Sequence, residues 1–160
     1  MLGASNIELD GIYHQPGWEP LDDHLFRARV AEATEATAWV VDGNYSAVRE
    51  MVWERADTVV WFDLPYALVM ARSVRRTVRR AVTRQELWNG NREPWSNLYS
   101  LDPRKSIIAW AATRHGVYRR RYREAEHDPR WAGLRFVRLR SQRAADAFLA
   151  EVTVMASTRE

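Results

Sequence analysis

The sequence predicts an α/β fold with a largely parallel sheet, because short apolar segments alternate with helical patterns along the chain. The apolar segments lie at residues 5–9, 38–41, 57–64 and 134–139. None alternates cleanly between apolar and polar residues, and the run from Val59 to Phe62 is apolar throughout, which is typical of parallel strands covered on both faces. With 160 residues, the chain is expected to form a single domain over residues 1–160.

Four helical patterns accompany these segments, at residues 21–36, 66–82 and 105–126 and after Ser141, which is a suitable N-cap. In the first pattern we expect Leu21, Leu25 and Ala28 to form the buried stripe. The third and fourth patterns also carry apolar residues at helical spacing. These residues are Ile107, Ala111, Tyr118 and Tyr122 in the third, and Ala145, Phe148 and Val152 in the fourth.

The helix predicted after Pro65 has two different faces. At ~100° per residue, its apolar residues fall within an arc of about 80°, and five arginines fall within a separate arc of about 140°. The apolar residues are Ala67, Ala71, Val74, Val78 and Val82, and the arginines are Arg72, Arg75, Arg76, Arg79 and Arg80. We expect the apolar face to pack on the sheet, while the mutually repelling arginines require a bound anion or acids from elsewhere in the chain.

Composition excludes several classes of function. The chain has no cysteine, which excludes disulfides, thiolate catalysis and cysteine-type zinc sites. No apolar run approaches the ~18 residues of a membrane span, and the first ten residues do not resemble a signal peptide, so we expect a cytoplasmic protein. Of its 24 basic residues only Lys105 is a lysine. This bias reflects either genomic base composition or selection for bidentate phosphate binding by guanidinium groups.

Two predicted strands end in or near a carboxylate. Asp10 follows the first strand and Asp42 follows the second, and ligands collect at the carboxyl ends of parallel strands. A carboxylate at such a position can hold magnesium near substrate phosphates, and Gly43 would allow the backbone to approach a ligand closely. Asp63, which follows the third strand, is instead predicted to cap the long helix.

Residues 83–103 connect the second and third helical patterns and show no periodicity. The segment is rich in Asn, Pro and Trp and is too long for an ordinary connector, which is typical of a lid or a binding loop. Together with the arginine-rich end of the preceding helix, it defines a lid-like segment at about residues 72–104.

Several segments follow one another in a specific order: IELDGIYHQPGW, VVDGNYS, RADTVVWFDLP, the basic helix and LWNGNRE. In this order they resemble the bacterial P-loop NTPases related to adenylate kinase that are known as topology modulation proteins. The resemblance extends over about residues 2–149. It implies a three-layer α/β fold with a parallel sheet of the nucleotide-kinase type, and phosphoryl transfer from ATP with magnesium to an acceptor of unknown identity.

The resemblance also implies roles for individual residues. Asp42 would help to hold magnesium through the nucleotide, and Asp10 would orient or deprotonate the acceptor. Arg76 and Arg80 would neutralise charge on the transferred phosphoryl group. The residues implied on the acceptor side are Trp18, Gly43, Asn44, Tyr45 and Arg49, and those implied on the ATP side are Arg72, Arg84, Arg92, Arg114, Arg119, Arg140 and Ser141.

The chain departs from this family in one respect. It contains no G-x-x-x-x-G-K-[ST] motif, the loop whose backbone N–H groups and lysine surround the phosphates. In the family the strand that precedes this loop lies in the middle of the sheet, so without it two apolar strands would have unpaired inner edges. The flanking strands would then pair with each other, or another chain would fill the gap, or the natural start lies further upstream. We expect the last of these.

Two further hypotheses describe the chain as a protein without catalytic activity. The chain could be a non-catalytic module that binds nucleic acid through its basic helix, the Arg119-Arg120-Arg121 run and the aromatic residues Trp88, Trp95 and Tyr99. It could also be an inactive subunit that forms a homodimer, or binds a partner chain, through an open sheet edge.

Overall fold

The computed structural model describes residues 3–100, 102–103 and 106–157 and confirms an α/β arrangement with parallel strands. The strands are β1 (Ser5–Glu8), β2 (Trp39–Asp42), β3 (Thr58–Phe62) and β4 (Arg135–Leu139). The helices are α1 (Leu9–Tyr13), α2 (Asp23–Ala33), α3 (Arg49–Trp53), α4 (Tyr66–Thr83), α5 (Ser96–Tyr99), α6 (Ile107–Glu126) and α7 (Gln142–Ser157). Within these ranges, no helix is both long and apolar enough to cross a membrane. Lys105, the first residue of the third predicted helix, lies outside the described residues.

The strands pair two by two. β1 is parallel to β2, from Ser5 opposite Trp39 to Glu8 opposite Asp42. β3 is parallel to β4, from Thr58 opposite Arg135 to Phe62 opposite Leu139. In the described part of the chain no ladder joins β2 to β3, so the strands form two small sheets. The continuous three-layer sheet that the resemblance implies is not seen, because no described strand pairs with the second edge of β2 or of β3.

The first sheet and α2 share a core with the segment around α3. Phe26 and Val30 of α2 are fully buried, whereas Leu25 is 53% exposed. The buried stripe predicted at Leu21, Leu25 and Ala28 is therefore wrong at Leu25 and Ala28, which are exposed, whereas Leu21 packs partly buried against the core. The reason is that the ring of Phe26 packs against two tyrosines, with ring centroids 5.1 Å from Tyr13 and 5.3 Å from Tyr45. This aromatic contact, rather than the leucines, sets which side of α2 faces inward.

Helix α4 is also turned differently from the prediction. Val74, Val78 and Val82 are exposed, and the buried residues of α4 are Thr77 and Ala81. The physical reason is that α4 packs alongside α6 rather than on a sheet, and small side chains allow the two helices to approach closely. The apolar face predicted to lie on a sheet therefore remains uncovered in the described part of the chain.

Aromatic side chains join the part of the molecule around β1 and β2 to the part around β3 and β4. The ring centroid of Trp53 in α3 lies 5.9 Å from that of Tyr122 in α6 and 5.7 Å from that of Phe136 in β4. Tyr122 in turn stacks on Trp61 of β3 at 5.3 Å, with the ring planes 9° apart. These contacts connect the two sheets through side chains instead of a hydrogen-bonded ladder.

A buried carboxylate lies at the end of β3. The side chain of Asp63 is 1% exposed, and its Oδ1 lies 2.6 Å from Nε of Arg119 in α6. Arg138 of β4 donates to the other oxygen, Oδ2. Burial acts to raise the pKa of Asp63, but the hydrogen bonds from Arg138 and Arg119 bring the pKa below its ordinary value. The predicted role of Asp63 as the cap of α4 is wrong. The N-cap residue is Pro65, and no side chain forms a capping hydrogen bond there.

We predict that Asp63→Ala lowers the free energy of unfolding by about 3 kcal/mol at neutral pH, because it leaves two arginines without their acid. Because the folded-state pKa of Asp63 is depressed, this contribution is present above the ordinary pKa of 3.8 and is lost as the pH falls. The difference between wild type and variant should therefore shrink below about pH 4 in urea denaturation. Asp57→Ala, at an exposed aspartate just before β3, is the matched control. An equal effect of both substitutions would contradict the prediction.

Candidate functional site

Three polar side chains meet beside the carboxyl end of β1, and we call them the Asp10 cluster. Asp10 lies in the first turn of α1, and Tyr45 lies in the loop between β2 and α3. The hydroxyl of Tyr45 donates to Oδ1 of Asp10 at 2.5 Å and lies 3.2 Å from Nε2 of His14. Because Tyr45 bonds one carboxylate oxygen of Asp10, the carboxylate is held in one orientation and its Oδ2 remains available to a ligand.

The environment fixes the protonation of this cluster. Burial raises the pKa of the Tyr45 phenol, and the hydrogen bond to Asp10 raises it further, so Tyr45 remains a donor at all physiological pH values. Burial lowers the pKa of His14, and the nearby charge of Asp10 partly opposes this change. The Nδ1 atom of His14 is buried and has no hydrogen-bond partner within the described residues. The cluster therefore combines an oriented carboxylate with a neutral imidazole.

The second strand-end carboxylate has a different environment. Asp42 is the last residue of β2, directly opposite Glu8, and its exposed side chain makes no hydrogen bond or ion pair within the described residues. The next residue, Gly43, has φ +132°, and a Cβ there would lie 2.8 Å from Cβ of Leu9. A side chain at position 43 would thus displace the start of α1 and with it Asp10.

The part of the chain that is described contains no group of three His, Asp or Glu side chains able to hold a metal ion. Asp42 alone presents an unengaged carboxylate at the strand ends. Magnesium prefers a few protein oxygens together with substrate phosphates. A single exposed carboxylate of this kind can contribute one oxygen to an ion held mainly by another molecule, and the described residues form no metal cage of their own.

The loop after α4 folds back over the Asp10 cluster. The indole N–H of Trp88 donates to Oε2 of Glu8 at 2.6 Å, and the side-chain amide of Asn89 donates to the carbonyl of Gly11 at 3.0 Å. A Cβ at Gly11 would lie 2.9 Å from Cδ1 of Trp88, so only glycine allows this approach. On the loop's other side, Asn91 accepts a bond from the backbone N–H of Trp18 at 2.8 Å. These bonds give the predicted lid-like segment a docked position.

Three arginines of α4 form a row that ends beside Trp88 of this loop. Arg72, Arg76 and Arg80 are four residues apart, so each step along the helix is about 6 Å. The guanidinium of Arg80 lies 5.8 Å from the ring centroid of Trp88. Burial and the neighbouring Arg76 lower the pKa of Arg80, while the charges of Glu93 and Asp10 oppose this. We call these residues the arginine row.

The other end of the arginine row borders a cleft of about 590 Å³ between α4, α6 and the end of β3. Arg72 and Arg76 line it together with Arg119. Its aromatic walls come from Trp61, Phe62, Trp110, Tyr118 and Tyr122. The indole N–H of Trp61, a residue only 3% exposed, has no acceptor within the described residues. The cleft thus offers flat apolar rings, cationic groups and one unused buried donor, and we call it the aromatic cleft.

The remaining predicted residues are more scattered. Arg49 donates a hydrogen bond to the side chain of Asn44 at 3.3 Å, and its guanidinium lies over the ring of Trp53. Arg119 forms an ion pair with Asp63. Ser141 caps α7 by accepting a bond from the backbone N–H of Ala144 at 3.1 Å. Four further arginines, predicted on the ATP side or in the lid, have exposed side chains, and they are Arg72, Arg84, Arg92 and Arg140. Arg114 on α6 is also exposed. The structure therefore groups Asp10, Tyr45 and Trp18 around His14. Arg72, Arg76 and Arg119 line the aromatic cleft. The other predicted arginines line neither place, and they are Arg49, Arg84, Arg92, Arg114 and Arg140.

Sequence reasoning missed two participants, His14 and Glu8, and it named Trp88 only as an aromatic residue of a nucleic-acid-binding surface. The contact from Trp88 to Glu8 spans 80 residues, and no local pattern predicts such a pairing. His14 becomes notable only because Tyr45 folds against it, across 31 residues. The one available signal was the Trp88-Asn89-Gly90-Asn91 run, whose unusual composition favoured a binding loop.

Comparisons of the chain with protein-family models, with curated proteins and with solved structures find no match.

We predict that Gly43→Ala lowers the free energy of unfolding by about 1–3 kcal/mol, since the added methyl group overlaps Leu9 and the positive φ disfavours alanine. Thermal or urea denaturation would measure this. Gly133→Ala is the control, because a Cβ at position 133 has no heavy atom within 4 Å. Equal stability of both variants would argue against a tight contact between Gly43 and α1.

We also predict that the pKa of His14 lies below its ordinary value of 6.5 and falls further in Asp10→Asn, because the substitution removes the opposing charge. An NMR titration of the imidazole resonances would measure both values. Asp146→Asn on α7 removes the same charge elsewhere and should leave the pKa of His14 unchanged. A pKa that rises in Asp10→Asn would contradict the geometry of the cluster.

Proposed function

We propose that this protein binds a nucleotide and takes part in phosphoryl transfer from ATP with magnesium to a small acceptor, as a nucleotide-kinase-like protein of the P-loop class. The observation that carries this proposal is the arginine row. It runs from the aromatic cleft, where Arg72 and Arg76 lie, to Arg80, which lies over Trp88 in the loop that bonds to Glu8 and Gly11 beside the Asp10 cluster. A cationic path between an aromatic site and an oriented carboxylate suits a substrate with a flat base at one end and a reacting phosphate at the other.

The aromatic cleft supports binding of the base. Trp110 is 37% exposed and Phe62 is 63% exposed, so both offer ring surface on which a base can stack. Arg76 makes no hydrogen bond or ion pair within the described residues and is therefore available to phosphate oxygens.

The Asp10 cluster supports activation of the acceptor. Oδ2 of Asp10 would accept the proton of an acceptor hydroxyl while the acceptor oxygen bonds to the terminal phosphorus of ATP. The bond from that phosphorus to the bridging oxygen breaks at the same time, and ADP leaves with those electrons. Tyr45 holds the carboxylate, and Arg76 and Arg80 stabilise charge on the transferred group. When bound, magnesium supplies further positive charge at the phosphates, and Asp42 is the residue that would hold it.

The strand pairing is consistent with the same class of fold. A sheet of the nucleotide-kinase type needs a further strand between β2 and β3, and each of these strands has one edge without a ladder in the described residues. Because the chain has no G-x-x-x-x-G-K-[ST] motif, the affinity for ATP rests on the arginine row and the aromatic cleft.

We predict that Arg76→Gln weakens binding of ATP with magnesium by about tenfold or more, because a charged hydrogen bond to phosphate is lost. Isothermal titration calorimetry would measure this. Arg75→Gln is the matched control, since Arg75 lies on the same helix but does not line the cleft. Asp42→Asn should reduce the gain in affinity that magnesium gives. Equal binding by Arg76→Gln and Arg75→Gln, or no binding of ATP by the wild type, would overturn the proposal.

A second candidate is a nucleic-acid-binding module. The observation that favours it is another open cleft, of about 570 Å³, on the opposite side of α6. Five basic residues line it together with Gly116 and two acids, Glu124 and Glu126, and the basic residues are Arg119, Arg120, Arg123, His127 and Arg138. Binding of single-stranded RNA there would weaken steeply with salt and would not require magnesium. The same titrations with an RNA oligonucleotide, at two salt concentrations, therefore distinguish this candidate from nucleotide binding.

A further inference from the structure

Helix α4 exposes an apolar stripe along its outer side. Val74 and Val78 are each 40% exposed and Val82 is 62% exposed. Ala67 and Ala71 continue the stripe toward the start of the helix, and both are exposed. An apolar stripe along one side of a helix is the pattern of a helix that packs against another element, and no described element covers this side of α4.

The two borders of the stripe differ. On a helical wheel at ~100° per residue, Thr77 and Ala81 lie on one side of the stripe, and both are buried where α4 packs alongside α6. Arg75 and Arg79 lie on the other side, and neither side chain makes a hydrogen bond or an ion pair within the described residues. The stripe is therefore a shallow apolar strip with one uncompensated cationic edge.

The spacing of the stripe indicates the shape of its occupant. Positions 67, 71, 74 and 78 repeat at intervals of four, three and four residues, which is the pattern of a helix that packs against a second helix at about 20°. An extended peptide would gain no backbone hydrogen bonds here, because the backbone N–H and C=O groups within α4 are already paired.

We propose that this surface of α4 binds an amphipathic helix of a partner protein, with an apolar face for the valines and acidic residues along the edge that meets Arg75 and Arg79. The positive charges of Arg75 and Arg79 favour this partner over the alternatives. A second copy of this chain would bring its own arginines against the same edge, and like charges across an interface disfavour association. A nucleic acid would use the arginines but would leave the valines uncovered.

The test uses a fluorescein-labelled helical peptide of about three heptads, with Leu at the a and d positions and Glu at the e and g positions. Fluorescence anisotropy should give saturable binding with a Kd in about the micromolar range. The matched peptide with Lys in place of every Glu should bind at least about tenfold more weakly. No saturable binding of the Glu peptide up to about 1 mM, or equal binding of both peptides, would overturn the proposal.

Variants locate the binding surface. Val78→Asp should abolish binding of the Glu peptide, and Arg79→Gln should weaken it by about threefold to tenfold. Val82→Ser should also weaken binding of the Glu peptide. Because Val82 is the most exposed valine of the stripe, this substitution should not disturb the fold. Leu149→Asp on α7, where the leucine is 61% exposed, is the control and should bind like wild type. If Leu149→Asp lost binding as fully as Val78→Asp, the peptide would not be binding at the α4 stripe.

Two further measurements separate the other occupants. Sedimentation without peptide should show a monomer, and a dimer dissociated by Val78→Asp would replace the proposed partner with a second copy of this chain. Binding of ATP should be the same in wild type and Val78→Asp, since Val78 does not line the aromatic cleft. Failure of the peptide to bind and failure of ATP to bind are therefore separate results.

Discussion

The buried carboxylate of Asp63 is the interaction on which the arrangement of the second sheet and its helices depends. Its side chain is 1% exposed, and a carboxylate at such a position is stable only with close cationic partners. Arg119 comes from α6 and Arg138 from β4, so one acid holds a helix and a neighbouring strand against the end of β3. The stacked rings of Trp61 and Tyr122 extend the same contact between β3 and α6. The position of α6 is therefore set by charge pairing and ring stacking together.

The position of α6 in turn decides which side of α4 faces inward. Thr77 and Ala81 are small enough to let α4 approach α6, and they become the buried residues. With these positions inside, Arg72 and Arg76 border the aromatic cleft, and Arg80 lies toward Trp88 and the Asp10 cluster. The valines at 74, 78 and 82 then have no described neighbour to cover them. The candidate nucleotide site and the exposed apolar stripe are thus two consequences of one helix orientation.

Local sequence patterns predicted the elements well and their contacts poorly. The strands follow from runs such as Val59 to Phe62, whose β-branched and aromatic residues suit a strand whatever surrounds it. The buried faces of α2 and α4 were predicted wrongly, because a helical wheel ranks faces by apolar content alone. Phe26 outweighs Leu25 only through its contacts with Tyr13 and Tyr45, and Thr77 is buried only because α6 lies beside it. Asp10 and Tyr45 were predictable from their places after the strands, whereas His14 and Trp88 join them through long-range folding.

The two ends of the proposed site differ in access, and this constrains the order of events in any phosphoryl transfer. The aromatic cleft is open to solvent beside the exposed rings of Phe62 and Trp110. The Asp10 cluster, by contrast, lies beneath a loop that is fixed by bonds from Trp88 to Glu8 and from Asn89 to Gly11. An acceptor that reaches Oδ2 of Asp10 must therefore displace those bonds or enter beside them. A nucleotide needs no such displacement. The guanidinium of Arg80 lies 5.8 Å from the ring of Trp88, so under the proposed function a phosphate bound along the arginine row would compete with the indole for this guanidinium. Under the proposed function, a nucleotide would therefore bind first and the acceptor second.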